Sequence, residues 1–154
     1  MKANTRLFGK IDIEDSKIII FKEGIIGFPD LKHFTLIYDE EKEGQGTIKW
    51  LQSMDDPSFA LPVINPLDVR ADYQPVVNEE GLESLGKMPN ESAFMLVTIT
   101  VPKEIKQMSV NLKAPFVINM DNLHGVQIII EDDYPVKYKI YDILNKKKEG
   151  EQVC

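Results

Sequence analysis

The chain has 154 residues, of which 43% are hydrophobic and 28% charged, and its formal net charge is −7 at pH 7. This composition excludes a natively disordered chain, and the negative balance argues against direct binding of nucleic acid, whose affinity comes from clustered Lys and Arg. No apolar run approaches the ~20 residues that span a bilayer, and no signal-like segment precedes the first strand pattern. We expect one cytoplasmic domain over residues 1–145, contacting neither membrane nor nucleic acid, and a polar, disordered tail over residues 146–154.

Alternating apolar residues at the N-terminus predict two strands, over residues 5–13 and 17–22. A short turn between them would join the pair into a hairpin. The two glycines and the proline of residues 23–29 then require a bend in the backbone. A short helical turn is predicted over residues 30–33, so the first regular hairpin gives way to irregular chain.

Most of the remaining chain also has the pattern of strands. They are predicted over residues 34–38, 47–52, 59–64, 93–101, 108–112, 115–119 and 126–131. A charged loop is expected over residues 39–46. Apolar runs of this kind would invite edge-to-edge pairing if they were exposed, and closing the sheet removes such edges. We therefore predict an all-β, mainly antiparallel fold, a small closed or nearly closed β-barrel with one or two short helices.

Other local signals mark the irregular parts of the chain. Asn78 is a typical helix cap and Gly86 a typical helix end, so a short helix is predicted between them. After Val136 the apolar spacing fits a strand and a helix equally well. Proline removes a ladder donor, which confines three segments to edges, bulges or loops: those of Pro62, Pro66 and Pro75.

Residue types that carry catalysis do not form a motif in this sequence. His33 and His124 each stand without a carboxylate or cysteine at ligand spacing, so we expect surface or loop positions for both. Asp55 and Asp56 are neighbours in a turn, where their side chains diverge instead of forming an acid and base pair. Trp50 fits core packing, or an interface if its strand lies at the barrel rim. We expect neither an enzyme nor a metal or cofactor site.

The acidic residues are concentrated in the middle of the chain. Residues 39–83 contain eleven Asp and Glu against three Lys and Arg. Two interpretations remain open: a solvated surface, or a face that steers a basic partner by its field.

Three stretches resemble the FliW family, in the family's order and over about residues 5–135. They are Phe-Lys-Glu-Gly-Ile-Ile-Gly-Phe-Pro at residues 21–29, Trp-Leu-Gln-Ser at 50–53 with Asp56-Pro57 and Asn65-Pro66, and Asn-Leu-Lys-Ala-Pro at 111–115 with Ile118-Asn119 and Gly-Val-Gln at 125–127. Each stretch alone is a weak motif, whereas the set at matching spacings is specific.

The resemblance implies a cytoplasmic regulator of flagellin synthesis. Proteins similar to FliW bind flagellin and, alternatively, the translational repressor CsrA, whose capture relieves repression of the flagellin message. Such a switch is a competition of two protein ligands for one limiting binder. For the contact surface we expect an exposed turn, further polar residues and two apolar anchors that would otherwise pack in the core: Met54, Asp55, Asp56, Pro57, Asn65, Asp68, Asp72, Phe28 and Phe59.

Two alternatives to this protein-binding function follow from the fold prediction. A small closed barrel can hold one small molecule, and a small domain can also be a structural adaptor of the flagellar machinery. The lack of a titratable cluster disfavours the first alternative, and the lack of coiled-coil heptads disfavours the second.

Overall fold

The computed structural model describes residues 1–38, 48–86 and 93–145, and these residues form eleven strands. In chain order the strands are β1 (Lys2–Thr5), β2 (Gly9–Asp12), β3 (Ile19–Ile20), β4 (His33–Ile37), β5 (Lys49–Ser53), β6 (Ala60–Ile64), β7 (Ala93–Thr100), β8 (Ser109–Val110), β9 (Phe116–Asn119), β10 (His124–Gln127) and β11 (Tyr138–Lys139). Short 3₁₀ helices cover Asp15–Lys17, Pro66–Asp68, Glu79–Leu85 and Ile105–Gln107. Residues 141–145 form a short α-helix.

Seven of the described strands close into a barrel. Antiparallel pairing runs from β3 through β4, β5 and β6 to β7. The first half of β7 then pairs with β9, and β9 pairs with β10. The ring is completed by a parallel contact between His124 of β10 and Ile20 of β3. The predicted all-β, mainly antiparallel barrel is confirmed.

Side chains fill the interior of the barrel. Phe21 lies at its centre, with its ring centroid 5.4 Å from that of Phe34 and 5.7 Å from that of Phe116. Gly125 makes room for this ring, because a Cβ there would lie 2.8 Å from the Phe21 ring atoms. Leu51 and Leu96 complete the packing from β5 and β7. This filled interior disfavours a small ligand held inside the barrel.

A second apolar layer covers the outer face of β7. Successive residues of a strand point to opposite faces, so Leu96 joins the interior whereas Val97 and Ile99 join the outer layer. The second half of β7 pairs with β8, and β8 pairs with β11. Ile140, fully buried after β11, closes the outer layer.

The predicted N-terminal hairpin of residues 5–13 and 17–22 is wrong. β1 pairs instead with β2, and the turn between them is closed by Thr5, whose hydroxyl donates to the carbonyl of Gly9 and accepts from the amide of Phe8. These bonds form a turn within the alternating residues that predict one continuous strand. The predicted helical turn over residues 30–33 is also wrong, because β4 already begins at His33.

The central strand predictions are confirmed within a few residues. The helix predicted after Asn78 is a 3₁₀ helix, where the Asn78 side chain accepts from the amide of Glu80 and Gly86 ends the helix at φ 72°. The ambiguous segment after Val136 contains both candidates, β11 and then the helix of residues 141–145. Pro62 lies within β6, where it pairs with Trp50 of β5 but precedes the residues of β6 that pair with β7, so it has strand pairing on one side only. The predicted loop over residues 39–46 and the tail over 146–154 lie outside the described residues.

Candidate protein-binding surface

The turn between β5 and β6 is held by its own side chains. The Ser53 hydroxyl accepts hydrogen bonds from the amides of Asp55 and Asp56, at 3.1 and 2.9 Å. One Asp56 oxygen accepts from the amide and the hydroxyl of Ser58, at 3.0 and 2.7 Å. Polar side chains that bond the nearby backbone stabilise turns in this way. The turn therefore has one defined shape.

A buried glutamine supports this turn from below. The side-chain NH₂ of Gln52 lies 2.8, 3.2 and 3.1 Å from three carbonyl oxygens, which share its two hydrogens. The oxygens belong to Ser53, Pro57 and Phe59. The Pro57 and Phe59 carbonyls also accept the backbone amides of Arg6 and Ser53, so Gln52 adds a further donor to each and stabilises the turn conformation.

A tight hairpin within residues 24–29 lies beside the turn. The amides and carbonyls of Ile25 and Phe28 bond each other at 3.2 and 2.9 Å. Gly24 and Gly27 adopt positive φ angles of 72° and 86°, which glycine reaches without steric cost. Ile25 is buried, whereas Ile26 and Phe28 are 50% and 46% exposed. The hairpin thus presents two large apolar side chains to solvent.

Asp55 connects the turn to the chain at the start of β4. Its Oδ2 atom accepts from the backbone amides of Lys32 and His33, at 2.7 and 2.8 Å. The His33 Nδ1 atom lies 3.1 Å from Oδ1 of the same carboxylate. Since a carboxylate only accepts, the ring bonds through a protonated Nδ1. His33 is partly exposed at the start of β4, and its carboxylate partner comes from a turn 22 residues away in the chain, not from a ligand-spaced position.

The environment of Asp55 favours its ionised form. Desolvation raises the pKa of Asp55, but the backbone hydrogen bonds from Lys32 and His33, with the hydrogen bond and charge of the His33 ring, lower it by more. The net result is a pKa below the ordinary value of 3.8. The carboxylate is therefore charged at neutral pH and engaged within the chain.

Two aromatic rings join the hairpin to the turn. The centroids of Phe28 and Phe59 lie 4.6 Å apart, and the Phe59 ring lies 6.5 Å from that of Phe34 in the core. Phe59 is half-buried and packs against the interior cluster. Phe59 therefore follows the core-packing alternative, whereas Phe28 is exposed enough to contact a partner.

The residues predicted for partner contact fall into two groups. Phe28, Asp55, Asp56, Pro57 and Phe59 come together at one end of the barrel, which we call the turn end. Met54 belongs to the same turn but is only 6% exposed, with its amide donating to the carbonyl of His33, so its expected exposure is wrong.

The second group lies beyond the other end of β6. This strand has five residues, which separates its ends by about 13 Å at about 3.3 Å per residue. The Asn65 side chain accepts from the amide of Leu67, and the Asp72 carboxylate accepts from Nε of Arg70 at 3.2 Å. Asp68 belongs to the 3₁₀ helix between them. Asn65, Asp68 and Asp72 are therefore not part of the turn-end surface.

The sequence prediction missed two contributors to the turn end. Ile26 was recognisable only as part of the glycine-bounded bend, and its amide donates to Oε1 of Gln127 in β10, at 2.8 Å. Arg6 braces the turn from the N-terminal hairpin, with its amide and Nε donating to the carbonyls of Pro57 and Ser58. No local pattern identifies Arg6, because its partners lie some fifty residues away in the chain.

The structure also places His124 and Trp50, the two other residues that the sequence singles out. His124 is half-buried within β10 and not in a loop. The Trp50 ring makes an edge contact with Phe8, centroids 6.3 Å apart, which joins the N-terminal hairpin to the barrel wall.

The described ranges contain no group of three His, Cys, Asp or Glu arranged to hold a metal ion. Across the same ranges, no helix has the length and apolar character needed to traverse a bilayer.

Fold and surface define a class: a small closed β-barrel that presents apolar side chains on a hydrogen-bonded hairpin and turn at one end. Comparison with known proteins identifies the family within that class. The family model described as FliW protein matches residues 2–140. The chain belongs to the FliW family of flagellar assembly factors.

Individual relatives agree over nearly the whole chain. The flagellar assembly factor FliW of Lachnospira eligens is 45% identical over 150 residues, covering 96% of this chain and 99% of the relative. That of Lachnoclostridium phytofermentans is 44% identical over 155 residues, covering 98% and 99%. A crystal structure of the flagellar assembly factor FliW superposes with a TM-score of 0.82 at 28% identity, covering 92% of this chain and 97% of that one. The family supports a role in flagellar assembly.

Proposed function

We propose that this protein is a cytoplasmic regulator without enzymatic activity that binds flagellin and, alternatively, CsrA. Capture of CsrA would antagonise its binding to RNA and relieve repression of flagellin translation. Membership of the FliW family supports a flagellar role. The observation that carries the binding proposal is the exposure of Ile26 and Phe28 on a hairpin that glycines and hydrogen bonds hold in one shape.

Exposed apolar side chains on a fixed backbone are suited to protein recognition. Aromatic and aliphatic side chains at the centre of an interface supply most of its binding energy, and a preformed surface lowers the entropy that binding costs. Phe28 contacts Phe59, which in turn packs against the interior cluster. The apolar surface at the turn end is therefore supported from beneath by the core.

Regulation requires only that the two partners compete. A ligand that occupies the binder lowers the amount available to the second ligand, by mass action alone. While flagellin accumulates in the cell, it would hold the protein and leave CsrA free to repress. Once flagellin is exported, the released protein would capture CsrA.

The charge of the chain supports association with a basic partner. The formal net charge is −7, and complementary fields accelerate encounter and disfavour like-charged competitors. Asp30 lies on the exposed segment between Phe28 and β4 and makes no hydrogen bond or ion pair with the described residues. This carboxylate is therefore available to the field that a partner meets.

Calorimetric titration of the purified protein with flagellin and with CsrA tests the proposal. We expect saturable binding to each, and a reduced apparent affinity for CsrA after saturation with flagellin. Labelled flagellin-leader RNA bound to CsrA should be released by the protein alone and not by its complex with flagellin. Failure to bind either partner would refute the proposal.

Two apolar variants locate the surface. Ile26→Ala, at the tip of the hairpin, is expected to weaken binding about tenfold. Met120→Ala is the control, since Met120 is 51% exposed on the turn between β9 and β10 at the opposite end of the barrel. Equal affinities of the two variants would place the contact away from the hairpin.

A charge variant tests the second group of predicted contacts. Asp72 is exposed and pairs with Arg70. If Asn65, Asp68 and Asp72 contact a partner, Asp72→Lys should lower the association rate most strongly at low salt. Unchanged affinity for both partners would remove this group from the surface.

A further inference from the structure

We infer that Asp55 is a positioning residue for the docking surface at the turn end. Its carboxylate holds the β5–β6 turn against the start of β4 and makes no direct contact with a partner. This inference rests on the proposed function and deepens it. It also replaces the sequence-based expectation that Asp55 contacts the partner directly.

The Asp55 carboxylate extends the hydrogen bonding between β4 and β5 beyond their last backbone pair. The pairing of β4 with β5 ends at Phe34 and Ser53, and the carbonyl of His33 still accepts from the amide of Met54 at 2.8 Å. Beyond that point the Asp55 side chain takes the place of the next backbone acceptor, receiving the amides of Lys32 and His33. Both donors would otherwise lack a partner among the described residues.

Both oxygens of the carboxylate are engaged inside the protein. Oδ2 accepts two backbone amides, and Oδ1 faces Nδ1 of His33 at 3.1 Å. A carboxylate in this arrangement has a fixed orientation and a charge already partnered by N–H dipoles. A partner group could pair directly with this carboxylate only by displacing donors that hold the turn in place.

The contact between Asp55 and the start of β4 lies between the chain segments that carry Phe28 and Phe59. Lys32 follows Phe28 by four residues, and the amide of Leu31 donates to the Phe28 carbonyl at 3.2 Å. On the other strand, Asp55 precedes Phe59 by four residues. Asp55 therefore joins the two chain segments whose rings meet at 4.6 Å, and its loss would let the segments move apart.

Asparagine and alanine separate position from charge at residue 55. Asp55→Asn keeps an oxygen that can accept both amides and an NH₂ that can donate to an unprotonated Nδ1 of His33, but it removes the charge. Asp55→Ala removes the acceptors as well. We expect Asp55→Asn to bind CsrA and flagellin within about threefold of the original protein and Asp55→Ala to lose about tenfold or more.

Salt dependence of the association rate is the readout that separates the two roles. If a partner interacted directly with the Asp55 charge, Asp55→Asn would lower the association rate at low salt and flatten the salt dependence of that rate. We expect an unchanged salt dependence, with the loss in Asp55→Ala appearing in the dissociation rate. Asp30→Asn, which removes a free carboxylate from the neighbouring segment, is the matched control and should show the flattened dependence.

Amide hydrogen exchange tests the positioning role without any partner. The amides of Lys32 and His33 should be protected in the original protein and in Asp55→Asn, and exposed in Asp55→Ala. Equal losses of affinity in the two variants, or unchanged affinity in a folded Asp55→Ala, would overturn the inference. Should Asp55→Ala fail to fold, the affinity and salt dependence of Asp55→Asn still decide it. If the original protein bound neither partner, the proposed function would fail, and the exchange result would still report on positioning.

Discussion

The rings of Phe28 and Phe59 lie 4.6 Å apart and are tilted by 56°, yet one is exposed and the other rests on the core. Because their surroundings differ, truncating each ring should have a different effect. Phe28→Ala is expected to weaken partner binding by about 2 kcal/mol and to lower the free energy of unfolding by less than about 1 kcal/mol. Phe59→Ala should destabilise the fold by about 2 to 4 kcal/mol.

Urea denaturation followed by tryptophan fluorescence, with calorimetric binding to flagellin and CsrA, measures both effects. The two variants control for each other, since each removes one phenyl ring from the same contact. A Phe28→Ala protein as unstable as Phe59→Ala, with unchanged affinity, would show that Phe28 serves the fold and not a partner.

The barrel and its main turn could be predicted from local signals. Alternation of apolar residues on either side of residues 54–57 gave β5 and β6, and Asn78 and Gly86 bounded the 3₁₀ helix correctly. Such signals depend on neighbours in the chain, where backbone preferences act directly. Closure was predicted from the need to cover sheet edges, but not the parallel pairing of β3 with β10 that completes it.

The wrong predictions have two causes, a local turn hidden within an apolar alternation and contacts between residues far apart in the chain. The Thr5 hydroxyl closes the first turn inside an apolar alternation that continued to residue 13. The contact of Asp55 with His33 spans 22 residues, so the histidine looked isolated in sequence. Core packing and partner contact are both open to Phe28 and Phe59 from the sequence. Only tertiary packing makes Phe28 exposed and Phe59 half-buried.

Two glycines of the apolar hairpin offer a matched pair of substitutions. A Cβ at Gly24 would lie 2.5 Å from the carbonyl oxygen of Pro29, whereas a Cβ at Gly27 would have nothing within 4 Å. Both have positive φ, so alanine at either position costs about 1 kcal/mol in backbone strain. Gly24→Ala must also displace backbone atoms, and we expect it to be at least about 2 kcal/mol less stable than Gly27→Ala.

Urea denaturation of both variants, with amide exchange at Ile25 and Phe28, checks this prediction. Gly24→Ala should also lose protection at these two amides, because their reciprocal bonds depend on the tight turn. Equal stability of the two variants would mean that the hairpin relaxes around the added methyl group.

Asp55 should make stability depend on pH in the acid range. Its folded-state pKa is lowered from 3.8, so the unfolded chain binds its proton at higher pH than the folded protein. The stabilisation is therefore fully present above pH 3.8 and is lost as the pH falls through the folded-state pKa. The difference in unfolding free energy between the original protein and Asp55→Asn should be constant near neutral pH and shrink in acid. Urea titrations across this range measure it, and a difference that does not change with pH would contradict the assignment.

Tyr73 should produce the opposite dependence in the alkaline range. It is 5% exposed, and its hydroxyl donates to the carbonyl of Leu112 at 2.7 Å. Desolvation, with the charges of Tyr134 and Asp132, raises the pKa of Tyr73 from 10.0 to about 12. A raised pKa contributes stability that is fully present below pH 10 and is lost as the pH rises through 12.

Tyr73→Phe removes both the hydrogen bond and this pH dependence. At neutral pH the variant should be about 1 to 3 kcal/mol less stable, because a buried carbonyl loses its donor. Above pH 10 the original protein should lose up to about 2 to 3 kcal/mol, at 1.36 kcal/mol per pKa unit, and its stability should approach that of the variant. Urea titrations measure the stabilities, and tyrosinate absorbance should show a late-titrating group that Tyr73→Phe lacks. A titration curve identical in the two proteins would show that Tyr73 ionises like an exposed tyrosine, and that its burial does not oppose the charge.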